Sequence, residues 1–222
     1  SDGGGAILSF DSNPVLINNT FVNNHSNFRG GAMEIYDGSE PLLVNNIFWG
    51  NTAPQNSQIF ISSGDCNVDF KYNDIEGGQT GIGPYGIGSG VFENNLETDP
   101  LFKDLLALNY KLEQGSPCID AGIPDVTGLN LPPYDLLGNV RIWNGGVYGE
   151  IIDMGAYEFG APLFTGVGRL DGWTVGQLHI KVNPNPTQRI VDFRFSIFDF
   201  RWVSLKIYDI HGREVAVLVD GS

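Results

Sequence analysis

The stretch PVLINNTFVNN, from Pro14 to Asn24, returns 27 residues later as PLLVNNIFWGN, from Pro41 to Asn51. Proline, an apolar triplet, an Asn pair and a Phe recur in the same order. A further step of the same length puts Asn19, Asn46 and Asn73 in register, and Phe21, Phe48 and Ile75 beside them. The preceding triplets are Val15-Leu16-Ile17, Leu42-Leu43-Val44 and a degenerate Asp69-Phe70-Lys71. A second series, GGGAI (Gly3 to Ile7) and RGGAMEI (Arg29 to Ile35), repeats at 26 residues. Each unit holds two or three short β-prone runs separated by Gly, Asn, Asp and Ser. Such a unit cannot bury its apolar face alone; stacked on its neighbours it can. The pattern predicts an all-β solenoid: a right-handed parallel β-helix of about 27 residues per coil, with short strands on three sides.

That geometry gives the amides a task. An inward Asn lies about 4.8 Å from its counterpart on the next coil, so its side chain donates to one neighbour and accepts from the other. An unpaired buried amide costs on the order of 1–3 kcal/mol, so only stacking makes its repeated burial tolerable. Asn19, Asn46 and Asn73 are therefore predicted to form an internal ladder. Asn18 and Asn45 are predicted to point outward, in keeping with Tyr72 at their third position. The other reading of these amides, as glycan or calcium ligands, stays open.

Composition agrees with the class. Helix formers are scarce and no long 3.6-residue apolar period occurs. Net charge is −14, unevenly spread: residues 1–160 carry 5 Lys/Arg against 20 Asp/Glu, and residues 161–222 carry 7 against 6. The shift predicts a domain boundary near 160. So acidic a surface repels phosphate backbones and anionic lipid, which argues against nucleic acid or membrane-surface partners. No apolar run is long enough to span a bilayer. The opening SDGGGAILSF lies inside the patterned region and lacks the layout of a signal peptide, so the sequence reads as a mature or truncated piece. Cys66 and Cys118 permit one disulfide without requiring it.

After the third unit, GGQTGIGPYGIGSG (Gly77 to Gly90) has 7 Gly in 14 residues and is predicted to be a long loop, either a binding lip or a solvated insertion. Then come ETDPLF (Glu97 to Phe102), NYKLEQGSPCIDAG (Asn109 to Gly122) and DLLGNVRIWNGGVYGEIIDMGAYEF (Asp135 to Phe159). Through Asp99-Pro100-Leu101-Phe102, Gly115-Ser116-Pro117-Cys118-Ile119-Asp120-Ala121-Gly122 and Asp153-Met154-Gly155-Ala156-Tyr157-Glu158, with Asp135, Gly138 and Arg141, residues 1–160 resemble bacterial surface proteins. In that group a parallel β-helix ends in a choice-of-anchor Q domain. The resemblance implies a secreted or surface-anchored protein and no defined reaction. Physically the segment reads as a closure. Pro117 ends strand extension, and Asp120 is placed to accept N–H groups of the Ala121-Gly122 turn. Asp135, Arg141 and Asp153 suit an ion-pair cluster, with a catalytic or calcium site as the alternative.

From residue 161 the pattern becomes NPNP (Asn183 to Pro186), the alternating run IVDFRFSIF, and WVSLKIYDIHGREVAVLV around Gly212. Sequential antiparallel strands with tight turns read as part of an Ig-like β-sandwich. Pro184-Asn185-Pro186, Ser204 to Asp209 and Gly212-Arg213-Glu214-Val215 resemble the C-terminal sorting domain of the type IX secretion system, or the related module of flagellar-hook capping proteins. That family continues with strands absent here, so the sandwich of residues 161–222 is predicted to be incomplete. Exposed strand edges are expected to be covered by further chain or by a partner.

Parallel β-helices include polysaccharide lyases and hydrolases, so catalysis by Asp37, Glu40, Asp65 and Asp69, paired across neighbouring coils, is the alternative to a scaffold. Glu34 is a weaker candidate. A uronate lyase needs cations, and only Arg29 and Lys71 occur in the first 98 residues. His25, His179 and His211 make no metal-spacing motif. Tyr36, Trp49 and Tyr85 are candidates for stacking on sugar rings. The sequence thus points to a secreted or outer-surface scaffold for adhesion or glycan contact, exported and anchored through its C-terminal module. It implies no cofactor, with calcium left open, and a polysaccharide or surface-protein partner.

Overall fold

A computed structural model describes residues 3–143, 151–163, 203–208 and 214–221. The chain divides into two compact units, Ser1–Leu163 and Phe164–Ser222. The first coil carries β1 (Ile7–Phe10), β2 (Val15–Ile17) and β3 (Thr20–Val22); the second carries β4 (Met33–Tyr36), β5 (Leu42–Val44) and β6 (Ile47–Trp49). The third holds β7 (Ile59–Ile61), β8 (Asp69–Lys71) and β9 (Asp74–Ile75), and a partial fourth holds β10 (Ile82–Pro84) and β11 (Phe92–Glu93). Equivalent strands pair in parallel into three sheets, β1-β4-β7-β10, β2-β5-β8-β11 and β3-β6-β9. This is an all-β parallel solenoid, and the repeat is its coil.

The Asn pair divides its work at one corner. Asn18, Asn45, Tyr72 and Asn94 all take left-handed backbone, with φ between 53° and 55°. A single such residue bends the chain from the second sheet into the third, and Asn adopts that conformation with little penalty. The next residue, Asn19, Asn46, Asn73 or Asn95, sends its amide inward. Asn19 Nδ2 donates to Asn46 Oδ1, Asn46 Nδ2 to Asn73 Oδ1 and Asn73 Nδ2 to Asn95 Oδ1, each at 3.0 Å. The ladder therefore has a fourth rung, Asn95, beyond the three predicted. A second ladder joins Asn24 Nδ2 to Asn51 Oδ1 at 2.9 Å, one corner later. Between these polar columns Met33, Ile35, Leu43, Phe48, Ile59, Ile61, Phe70 and Ile75 fill the interior. Phe21 and Phe48 stack at 4.7 Å.

Two expectations are corrected. The glycine-rich stretch is not one long loop: Gly78–Gly81 forms a 3-10 turn and Ile82–Pro84 pairs with β7. The coil shortens there, from a spacing of 27 residues to 22 along the ladder. The glycines permit a close approach to the third coil, since a Cβ at Gly88 or Gly90 would stand 2.1 Å from the Cys66 or Val68 carbonyl oxygen. Secondly, Asn18 and Asn45 leave the coil but do not reach solvent; both are buried. The segment after the fourth coil lies across them. Asn18 Nδ2 donates to the Asp153 and Gly155 carbonyls, at 2.8 and 3.1 Å, and Ile123 N donates to Asn45 Oδ1 at 2.8 Å.

That segment begins with the antiparallel pair β12 (Phe102–Asp104) and β13 (Asn109–Leu112). It runs along the side of the solenoid as a clasp. Ala156 N donates to Thr20 Oγ1 of the first coil, Gly155 N to the Asn45 carbonyl of the second, and Cys118 Sγ to Asp74 Oδ2 of the third. Beneath it Ile47, Leu112, Cys118 and Met154 form a second apolar core. In the second unit β14 (Val203–Tyr208) pairs antiparallel with β15 (Glu214–Gly221). The NPNP turn, the run 190–198, His179 and His211 lie outside the described residues, as does any further sandwich strand.

Candidate functional site

Alternation along the first sheet sends Leu8 and Phe10 of β1, Glu34 and Tyr36 of β4, and Phe60 of β7 to its outer face. The register pairs Leu8 with Glu34 and Glu34 with Phe60 in one row, and Phe10 with Tyr36 in the next. The Phe10 and Tyr36 rings lie 4.8 Å apart. Ser62 and Tyr85 are the residues directly after β7 and β10, where a continuation of that row falls. Leu8, Phe10 and Tyr85 are 53%, 54% and 61% exposed. In the other row Arg29 Nε sits 2.8 Å from Glu34 Oε1, and its guanidinium lies 4.9 Å from the centre of the Phe60 ring. Burial pushes the Glu34 carboxyl up, and the Arg29 charge only partly opposes this. Glu34 is 2% exposed, so it anchors Arg29 rather than meeting solvent.

Two of the three aromatic candidates, Tyr36 and Tyr85, thus share one face. Trp49 does not: it ends β6 on the third sheet and packs against the second core. Phe10, Arg29 and Phe60 complete the face; the sequence marks Arg29 only as one of two early cations, and neither Phe. Phe10 was within reach, because extending the GGGAI and RGGAMEI series three positions aligns it with Tyr36.

The four carboxylate candidates gather where the chain passes from the first sheet to the second. Asp37 and Asp65 belong to one turn on neighbouring coils. Asp37 N donates to Ser63 Oγ at 3.1 Å, and the Ser63 hydroxyl together with the Gly38 N–H holds the Asp65 carboxyl below its ordinary value. Glu40 and Asp69 border a shallow hollow of about 320 Å³ with Asn67 and Ser89. Asn67 Nδ2 donates to Glu40 Oε1 at 3.1 Å, and Val91 N to Asp69 Oδ1 at 3.0 Å. Each of Asp65, Glu40 and Asp69 thus accepts from the adjoining coil.

Asp120, Asp135, Arg141 and Asp153 come together in the clasp, with a different division of labour from the one expected. Arg141 pairs with Glu158 at 3.1 Å, a partner missed from sequence. Asp135 accepts from the N–H groups of Leu137, Asn139 and Glu158 and from Asn139 Nδ2. Burial pushes its carboxyl up, but these donors outweigh it and hold the group below its ordinary value. Asp153 accepts from Asp120 N and Phe159 N, at 2.7 and 2.6 Å. Gly122 N goes to the Ile152 carbonyl rather than to Asp120.

Burial pushes Asp153 up to about 6 despite its donors. Burial and the Asp153 charge together push Glu158 up to about 8 in spite of Arg141. Burial also lifts Asp74 to about 6 and strongly raises the Cys118 thiol beside it. Cys66 and Cys118 are free, buried thiols. His25 is bound to Thr52 Oγ1 and Asn27 Oδ1 on the surface of the coil. Among the described residues no group of three or more His, Cys, Asp or Glu is placed to hold a metal ion. None of the described helices is long and apolar enough to cross a membrane. No family model matches the chain, no curated protein matches it, and no solved structure matches it.

Proposed function

We propose that the chain is a non-catalytic scaffold which lays the outer face of its first sheet against a glycan, as part of a secreted or surface-held protein. The observation that carries the reading is the outer row Phe10, Tyr36, Ser62, Tyr85, in which Phe10 and Tyr85 are exposed and Tyr36 and Ser62 half-buried. Phe10 and Tyr36 are held in register with their rings 4.8 Å apart, and the Arg29–Glu34–Phe60 stack, in which Glu34 and Phe60 are buried and Arg29 is partly exposed, supports them from beside. Aromatic rings kept rigid at little entropic cost are good contact groups for a flat apolar sugar face. The resemblance of residues 1–160 to choice-of-anchor Q surface proteins, and of 184–215 to type IX sorting domains, supports export and anchoring. It also supports a right-handed helix followed by an Ig-like module.

A glycan array read with the intact protein tests this. The Tyr36→Ala, Tyr85→Ala double variant is expected to bind about tenfold or more weakly to whichever glycan scores. Undiminished binding by a folded variant would overturn the assignment. A second reading, hydrolysis of a polysaccharide, is favoured by one fact only: Glu40 and Asp69 border the same hollow. Reducing ends released from an acidic polysaccharide, and lost in Glu40→Gln or Asp69→Asn, would establish it in place of the first.

A further inference from the structure

Five cationic side chains serve the whole of residues 1–160 against twenty acidic ones. Three are committed: Arg29 to Glu34, Lys71 to Asp69 and Glu93, and Arg141 to Glu158. The other two, Lys103 and Lys111, take part in no ion pair among the described residues. They are nevertheless brought together. A bulge interrupts the β12–β13 pairing between Phe102 and Asp104, so that Lys103 faces the step Tyr110–Lys111. Like charges set across a strand pair repel, and in a chain of net charge −14 a carboxylate neighbour for each would have been easy to supply. Both lysines instead line a cavity of about 430 Å³ at the end of the clasp. Its other walls include Tyr157, Phe159, Leu137 and Leu163. The volume is within the range of small-molecule sites, which combine mostly apolar walls with a few charged groups that fix orientation.

We infer that this cavity is a second binding site, for a sugar ring bearing a carboxylate or sulfate, with Lys103 and Lys111 on the anion and Tyr157 and Phe159 against the ring. The anion half of the assignment stands on the two uncommitted lysines. The saccharide half rests on the glycan reading given above. The site is separate from the Tyr36–Tyr85 face: its residues come from β12, β13 and the clasp, and none from the first sheet. Arg141 holds the neighbouring Glu158, so the one carboxylate in the lining has its own cation and leaves the lysine pair to the ligand.

Calorimetric titration of the full chain tests both halves with three probes: trigalacturonate, the neutral galactose trimer and benzoate. Trigalacturonate is expected to bind, and the neutral galactose trimer to bind about tenfold or more weakly; a neutral trimer that binds as tightly overturns the anion half. Trigalacturonate is expected to lose about as much in the Lys103→Gln, Lys111→Gln variant. It is also expected to weaken as salt is raised to about 0.5 M. Both lysines are solvent-exposed, so the variant keeps the fold, which circular dichroism checks. Trigalacturonate titrated into the Tyr36→Ala, Tyr85→Ala variant tells this site from the first-sheet face. Equal affinity in the lysine variant, or no binding of trigalacturonate to the parent, overturns the site. Loss in the tyrosine variant alone overturns it too, and would place acidic glycans on the first sheet. Benzoate binding as tightly, with the same lysine dependence, overturns the saccharide half and keeps the anion half.

Discussion

Asn46 has no slack. Its side-chain oxygen accepts from both the backbone and the side chain of Asn19, and its Nδ2 serves the Leu16 carbonyl and Asn73 Oδ1. Asn46→Ala leaves several buried groups without partners and is expected to cost on the order of 3 kcal/mol. A fall in the urea midpoint measures it. Asn13 also spans one coil step, to the Glu40 N–H, but at the surface; Asn13→Ala is expected to cost less than about 0.5 kcal/mol. Equal losses at the two sites would refute the ladder as a buried, interlocked structure. The two thiols give a second check. Both are buried, and Cys118 is raised well above its ordinary value by burial and by Asp74. Neither is expected to react with a maleimide under native conditions, and both should react in urea.

The clasp couples its hold to pH in a direction opposite to the usual salt-bridged carboxylate. Asp74 and Asp153, near 6, and Glu158, near 8, all sit above their ordinary values because they are buried. An acid whose value rises on folding binds protons more tightly in the folded state. Its contribution is therefore complete below the ordinary value near 4 and is lost as pH rises through the folded one. Stability is expected to decline from about pH 4 to 8, with the upper half of the decline flattened in Glu158→Gln whatever that variant's absolute midpoint. An unchanged slope would show that Glu158 does not titrate there.

This element also marks the limit of what the sequence discloses. Repetition announces the coil: Asn19, Asn46 and Asn73 can be read as a ladder because each does the same job at a fixed step. Even Asn24 and Asn51 lay within reach, since they close the two opening stretches at that step. Asn95 escapes because the fourth coil is shorter, and Gly88 and Gly90 look like loop when they are close packing. The clasp escapes for a different reason. Asn18 meets Asp153 and Gly155 across more than 130 positions of chain, and no local period encodes a contact made once. The aromatic face lies between these cases: its rows follow from the register, but Arg29 over Phe60 is visible only in three dimensions.

At the scale of the molecule, the first unit holds two apolar cores of its own. Residues 1–163 produced alone are expected to unfold at the same urea midpoint as the first transition of the full chain. A markedly lower midpoint would make the two units one cooperative body. Because residues 1–160 are so acidic, added salt is expected to raise that midpoint by screening self-repulsion. The ladder carries one further consequence. In all three steps the donor is on the earlier coil and the acceptor on the later one, from Asn19 to Asn46, Asn73 and Asn95, and the Asn24–Asn51 column runs the same way. The amide dipoles are thus aligned like magnets in a row, each polarising the next. The solenoid is a vector rather than a rod: its two ends differ in chemical sign, and a cap fashioned for one is the wrong shape of charge for the other.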